Sequence, residues 1–175
     1  MDHELIETLP ARGPHSSLGA HADTYARVIG SWHGELSRYQ DGKSVASASV
    51  EAHFAWVLEG RAVQDVWITP ARADRPSSPG SGLNWYGTTL RVFDPTTSAW
   101  NTTWTDPASQ LRIELVGRRQ GDDIVQIGTR GGRPIRWVFS DITPNSFTWR
   151  GHLLNFDGET WTLEVEMKFR RVAKA

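Results

Sequence analysis

The chain has 175 residues, 19 Lys and Arg against 20 Asp and Glu, a net charge of -1, nine Trp and no Cys. A near-neutral chain has no cationic excess with which to neutralise phosphates, so nucleic acid is not an expected partner. Without Cys there is no disulfide framework, no thiolate nucleophile and no thiolate-held metal.

Residues 1–17 carry Pro10, Gly13 and Pro14 and show no periodicity, so they read as a flexible leader, with one domain over 18–175. The first residues are acidic and hold no apolar run, unlike a signal peptide. No segment approaches the roughly 18 continuous apolar residues of a membrane helix, so no membrane association is expected and the expected location is cytoplasmic. Residues 18–29 are the one clear helix: Leu18, His21, Tyr25 and Val28 share a face, and Gly30 ends it. A short helix ahead of a first strand suits the plug at one end of a barrel.

From Trp32 the pattern changes to period two. Strands are expected at 32–40, closed by Asp41-Gly42, at 44–58, closed by Glu59-Gly60, and at 61–69, stopped by Pro70. Residues 70–82, rich in Pro, Ser and Gly, read as a flap at the barrel mouth, where loops carry function. Further strands follow at 83–93, 99–105, 110–118, 123–129, 134–141, 146–155 and 159–171, separated by signals such as Asp94-Pro95, Asp106-Pro107, Gly131-Gly132 and Asp157-Gly158. Short connections make sequential strands neighbours, and about ten strands in a meander lose their exposed edges by closing. The expected fold is all-β, an antiparallel up-and-down barrel with one short N-terminal helix. In the last strand Trp161, Leu163, Val165, Met167 and Phe169 alternate with Thr162, Glu164, Glu166, Lys168 and Arg170, which predicts one buried and one wet face.

Gly30-Ser31-Trp32, between the helix and the first strand, resembles the G-x-W signature of the lipocalins and the wider calycin group. The resemblance implies a Trp across the barrel base, covered by a basic residue near the end of the final strand, where Arg170 and Arg171 stand. Arg61–Trp67, Tyr86–Pro95, the Trp100/Trp104 pair and Arg136–Ile142 stand in an order similar to bacterial lipocalin-like domains of unknown function. Over residues 30–171 this implies a calycin barrel with an internal cavity, and no particular activity.

No nucleophile elbow, phosphate loop or paired-His metal motif is present, so neither a metal nor a cofactor is expected. Gly30–Gly34 is faintly similar to the opening of nitrobindin-type haem barrels. A haem would need an axial His, and only His152 on the ninth strand is a candidate. Its alternation with Trp149, Gly151 and Leu153 turns it outward if those three face the cavity.

The residues that stand out are polar groups on apolar strands. Asp65 alternates with Val63 and Trp67, Arg91 with Thr89 and Phe93, and Gln126 with Ile124 and Gly128. A buried charge must be paired. Asp65 and Arg91, on neighbouring strands, form either a structural ion pair or a polar anchor in an aromatic pocket. Trp67, Trp85, Trp104 and Trp149 are candidate cavity walls; their registers differ, so at least one is expected to face outward. Tyr86 joins the ligand-binding candidates only if a bulge at Gly87 turns it inward. Glu164 and Glu166 are expected on the solvated outer face, and His53 outside.

Three functions follow. The first is binding of a small, partly apolar or aromatic metabolite, with Gln126 or Arg91 orienting it. The second is a cofactor-free isomerase, cyclase, decarboxylase or hydratase with Asp65 as base and Arg91 stabilising developing negative charge. The third is a filled structural barrel, or a haem-binding one. The partner in the first two is a small molecule, and the chain is expected as a monomer or homodimer.

Overall fold

Turn residues break the sheet where the sequence places them. The computed structural model describes residues 3–75 and 83–173. In it β1 is Pro10–Ala11, β2 Gly30–Gln40, β3 Lys43–Val57, β4 Ala62–Thr69, β5 Trp85–Asp94 and β6 Ala99–Asp106. β7 is Leu111–Gln120, β8 Asp123–Arg130, β9 Arg133–Ser140, β10 Ser146–Leu154 and β11 Trp161–Arg171. Every expected strand is present. Asp41 and Gly42 both take positive φ, 50° and 74°, the geometry of a two-residue hairpin.

The strands pair in the order β3-β2-β11-β10-β9-β8-β7-β6-β5-β4, all antiparallel, and β3 also pairs with β4. That last pairing closes ten strands into a barrel. β1 stands outside the closed ring. β2 begins opposite Phe54, which leaves the β2-side edge of the end of β3 open, and β1 takes that edge by pairing Pro10 with Val57 and Ala11 with Trp56. The stretch expected as a flexible leader therefore contains a helical turn, α1 (Glu4–Thr8), and a paired strand. It is fastened to the β3–β4 turn by hydrogen bonds from Leu58 N–H to the Leu9 carbonyl and from His15 N–H to the Gly60 carbonyl, both 3.0 Å.

The expected helix is shorter and broken. A 3-10 segment over Ser16–Ala22 is kinked at Gly19, whose φ of 50° no helix accommodates, and leads into α2 (Asp23–Ala26). Leu18, Ala22, Tyr25 and Val28 are buried and plug one barrel end. His21, expected on that face, is exposed and stacks on Phe93 at 4.3 Å. Trp32 is fully buried above the plug, and its indole N–H donates to the Val28 carbonyl at 2.8 Å. Of the two arginines that could cover it, Arg171 does so. Its guanidinium lies 4.0 Å from the ring centroid and donates to the carbonyls of Ile29 and Arg27. Arg170 is exposed.

The even alternation expected of the last strand does not hold. Gly151 pairs with Val165 but His152 pairs with Leu163, so Glu164 is an extra residue, a bulge. Val165, Met167 and Phe169 keep the inward parity. Beyond the bulge the parity reverses, and Trp161 lies outside under the Arg136 guanidinium, 4.6 Å from its ring centroid. Among the described residues no helix is long and apolar enough to cross a membrane.

Replacing Arg171 with Ala removes the stacked cation and its hydrogen bonds. It is expected to cost roughly 1–3 kcal/mol, seen as a lower urea midpoint with an unchanged slope. Arg170→Ala, at an exposed site, is expected to change stability by less than about 0.5 kcal/mol.

Candidate functional site

The barrel is filled at its plugged half and open at the other. Near the plug, Phe147 stacks on Phe169 at 4.7 Å and meets Trp32 edge-on at 4.8 Å, and Phe54 and Phe139 complete a layer of rings. Above that layer sits Arg91, with its side chain 2% exposed. It donates through Nη1 to Oδ2 of Asp65, whose Oδ1 accepts the Thr89 N–H at 2.8 Å. The guanidinium lies over the rings of Tyr25, Phe54 and Phe139 at 5.0, 5.6 and 5.8 Å. Ion pair and cation–π contacts together hold a charge that would otherwise be very costly in this interior.

Arg91 is the floor of a cavity of about 390 Å³. Trp67, Trp85, Trp104 and Trp149 all line it. The expectation that one would face outward fails because β4, β5, β6 and β10 each turn the tryptophan's parity inward. That parity also carries Asp65, Arg91, Trp100 and Gly151. Trp137 is a fifth wall residue. The alternation Ile135, Trp137, Phe139 carried that signal. Trp137 and Trp149 are 5.4 Å apart, Trp67 and Trp149 5.7 Å, and Trp104 and Trp137 6.5 Å. Two glycines make room for this crowd. A Cβ on Gly151 would stand 2.9 Å from the Trp149 ring, and one on Gly87 would collide with the Trp104 ring and the Thr105 carbonyl.

The remaining sequence candidates lie elsewhere. Asp65 is wholly buried behind Arg91 and is not a wall residue. Gln126 is below the cavity, donating to the Tyr25 hydroxyl at 3.1 Å and to Thr102 at 3.4 Å. Burial there pushes the Tyr25 phenol up, against the opposing charge of Arg91. Tyr86 is 46% exposed on the outer face, with the Arg75 guanidinium over its ring at 5.4 Å, since β5 runs without a bulge at Gly87. His152 pairs with Arg136 on the outward parity, and no histidine lines the cavity among the described residues, so the axial ligand of the haem reading is not at hand.

The mouth is formed by the connections at the far ends of the strands. Residues 76–82 of the expected flap lie outside the described residues. The bulge brings Glu164 into the wall, where sequence alternation had put it outside. Both of its oxygens accept from Nη2 of Arg130 at 2.7 Å, a contact that spans β9 and β10. Asp106 is buried, and its oxygens accept from the Ala108 N–H and the Ser109 hydroxyl. Arg38 and Tyr39, at the end of β2, complete the rim.

On the outer wall, the chain leaving β4 is fastened by Glu51, which is buried although it faces outward. One Glu51 oxygen accepts from the backbone N–H and Nε of Arg72. The other approaches Nε2 of His33 at 3.3 Å and of His53 at 3.7 Å. Burial raises the Glu51 carboxyl, but the Arg72 hydrogen bonds and charge outweigh it and hold the group below the ordinary carboxylate range. Burial lowers the His53 imidazole, with Glu51 opposing.

No family model matches the chain, and no curated protein matches it. Solved structures do. Rv2717c from M. tuberculosis superposes with a TM-score of 0.62 at 15% identity, covering 91% of this chain and 99% of that one. The S-type phycobiliprotein lyase CPES from Guillardia theta superposes with a TM-score of 0.56 at 11% identity, covering 87% and 92%. At these identities the likeness shows the fold alone, a closed antiparallel barrel, and it fits the calycin-like fold that the sequence resemblance implied.

Asp65→Asn leaves the Arg91 charge buried and uncompensated, and is expected to cost about 3–5 kcal/mol in urea unfolding. An Asp65→Leu, Arg91→Met double variant is expected to recover most of that loss. Acid weakens the Glu51 cluster, because both Glu51 and His53 bind protons more readily in the unfolded chain. The His53 share disappears as pH falls below the ordinary imidazole range. The Glu51 share disappears as pH falls through its lowered value. Glu51→Gln should therefore lower the urea midpoint at pH 7 and narrow its drop between pH 5 and pH 3, relative to the unmodified protein.

Proposed function

We propose that the barrel binds a small, partly apolar, aromatic molecule in its open half. The observation that carries this is the convergence of five tryptophans on one cavity. Its volume of about 390 Å³ falls within the roughly 300–1,000 Å³ typical of small-molecule sites, which weighs against a filled barrel. Each indole offers a wide, rigid face and a polar N–H edge, the combination that suits a flat ligand with polar substituents. One barrel of this architecture is by name a phycobiliprotein lyase, and ligand binding here is consistent with that neighbour.

Binding is favoured over turnover by the state of the acids. Asp65, the base of the turnover reading, is sealed behind Arg91 and lines no part of the cavity, while Glu164 is held by Arg130 and Asp106 by its own turn. A general base needs a lone pair within reach of the proton it removes.

The test is to incubate the protein with a metabolite extract and profile the extract by mass spectrometry, varying protein amount and time separately. The expected result is a compound depleted in proportion to protein, constant with time and recovered on denaturation. Progressive loss with a new product of fixed mass difference would overturn binding in favour of catalysis. A variant with Gly151→Leu, which places a side chain against Trp149 inside the cavity, is expected to abolish the depletion while remaining folded by circular dichroism.

A further inference from the structure

The hydrogen-bonding state of the cavity wall says more about the ligand than its shape does. Trp67, Trp85, Trp104, Trp137 and Trp149 are all buried or half-buried. Among the described residues none of their indole N–H groups donates to a protein acceptor. None is sealed from solvent either: the indole nitrogen that is both buried and unpartnered belongs to Trp100, below the cavity. All five donors belong to rings that line the same space.

The carboxylates nearby already hold protein donors. The carboxylates of Glu164 and Asp106 at the wall, and of Asp65 behind it, each accept on both oxygens from protein donors. Each carboxylate keeps lone pairs beyond those bonds, and the wall adds hydroxyl oxygens from Thr89, Ser109 and Tyr39, which donate as readily as they accept. The cations are also unequal. Arg91 is paired with Asp65 and Arg130 with Glu164, while Arg38, at the mouth, has no ion-pair partner among the described residues.

A surface with five unpartnered donors favours ligands that bring acceptors, since a carbonyl oxygen buried there exchanges its water for an indole N–H. We propose that the ligand is a planar conjugated acid rich in carbonyl acceptors, its rings between the tryptophans, its carbonyls on the indole N–H groups and its anionic group at Arg38. This inference rests on the cavity being a ligand site, and it names the class of ligand.

Matched probes test it. Anthraquinone-2-carboxylate and anthracene-2-carboxylate share ring shape and charge and differ in two carbonyl oxygens. Anthraquinone-2-carboxamide keeps the carbonyls and loses the charge. Affinities are measured by isothermal titration calorimetry on the full chain. The quinone acid is expected to bind roughly tenfold more tightly than the anthracene acid, the gain from about one to two well-made hydrogen bonds. Trp104→Phe and Trp137→Phe, which keep a ring and delete the N–H, are expected to narrow that gap without weakening the anthracene acid to the same extent. Arg38→Gln is expected to weaken the quinone acid about tenfold and leave the carboxamide unchanged.

Equal binding of the two acids would overturn the acceptor-rich class while leaving the cavity as a ligand site. Equal loss of acid and carboxamide in Arg38→Gln would overturn the anionic group. Failure of all three probes to bind would overturn this inference, and the metabolite-extract experiment then decides the binding function separately.

Discussion

Arg91 and Asp65 divide the barrel. An arginine cannot lie 2% exposed in an aromatic interior unless its charge is met, and here a carboxylate meets it from the neighbouring strand while three rings receive its faces. The pair is fixed in turn by the Thr89 N–H on Asp65. Below it the space is packed with rings up to the helical plug. Above it the inward side chains stand back and leave a void. The same pair thus sets the depth of the cavity and ties the plug, through Tyr25, to the strands that carry the tryptophans.

The cavity survives because its walls are both large and spaced. Tryptophans at this density would fill a ten-strand barrel if every inward position carried a side chain. Gly87 and Gly151 are inward positions that carry none, and the Trp104 and Trp149 rings lie back against them. Close packing of ring on ring then proceeds along the wall, and the space in the centre stays open.

The bulge at Glu164 has an influence out of proportion to its size. One extra residue returns a charged side chain to the wall and sends Trp161 outside, where Arg136 covers it. It also lets Glu164 reach Arg130 across two intervening strands, which stiffens the rim. On the opposite wall the outward-facing Glu51 gathers Arg72, His33 and His53. The chain that leaves β4 for the mouth is held there by this charged cluster and by Ala71, which is buried and donates its N–H to Ser49.

The sequence by itself determined the architecture. Gly, Asp-Gly and Asp-Pro signals every ten residues or so, with period-two apolar alternation between them, leave sequential antiparallel pairing as the arrangement that buries one face, and ten such strands close to satisfy their edges. Alternation also placed Asp65 and Arg91 on adjacent strands with Trp67 and Trp85 on their parity, so the core of the candidate site is legible in the chain itself. Three things were decided only in the tertiary structure. Absolute facing was one: period two says which residues share a face and not which face is inside, so four tryptophans on four strands could be judged together only once the ring was closed. The bulge was another, since an extra residue leaves no mark in an alternating pattern and reverses everything beyond it. The third was long-range pairing: Arg130 with Glu164 and the helical plug's Tyr25 with Gln126 meet across the barrel interior, at separations that no local spacing encodes.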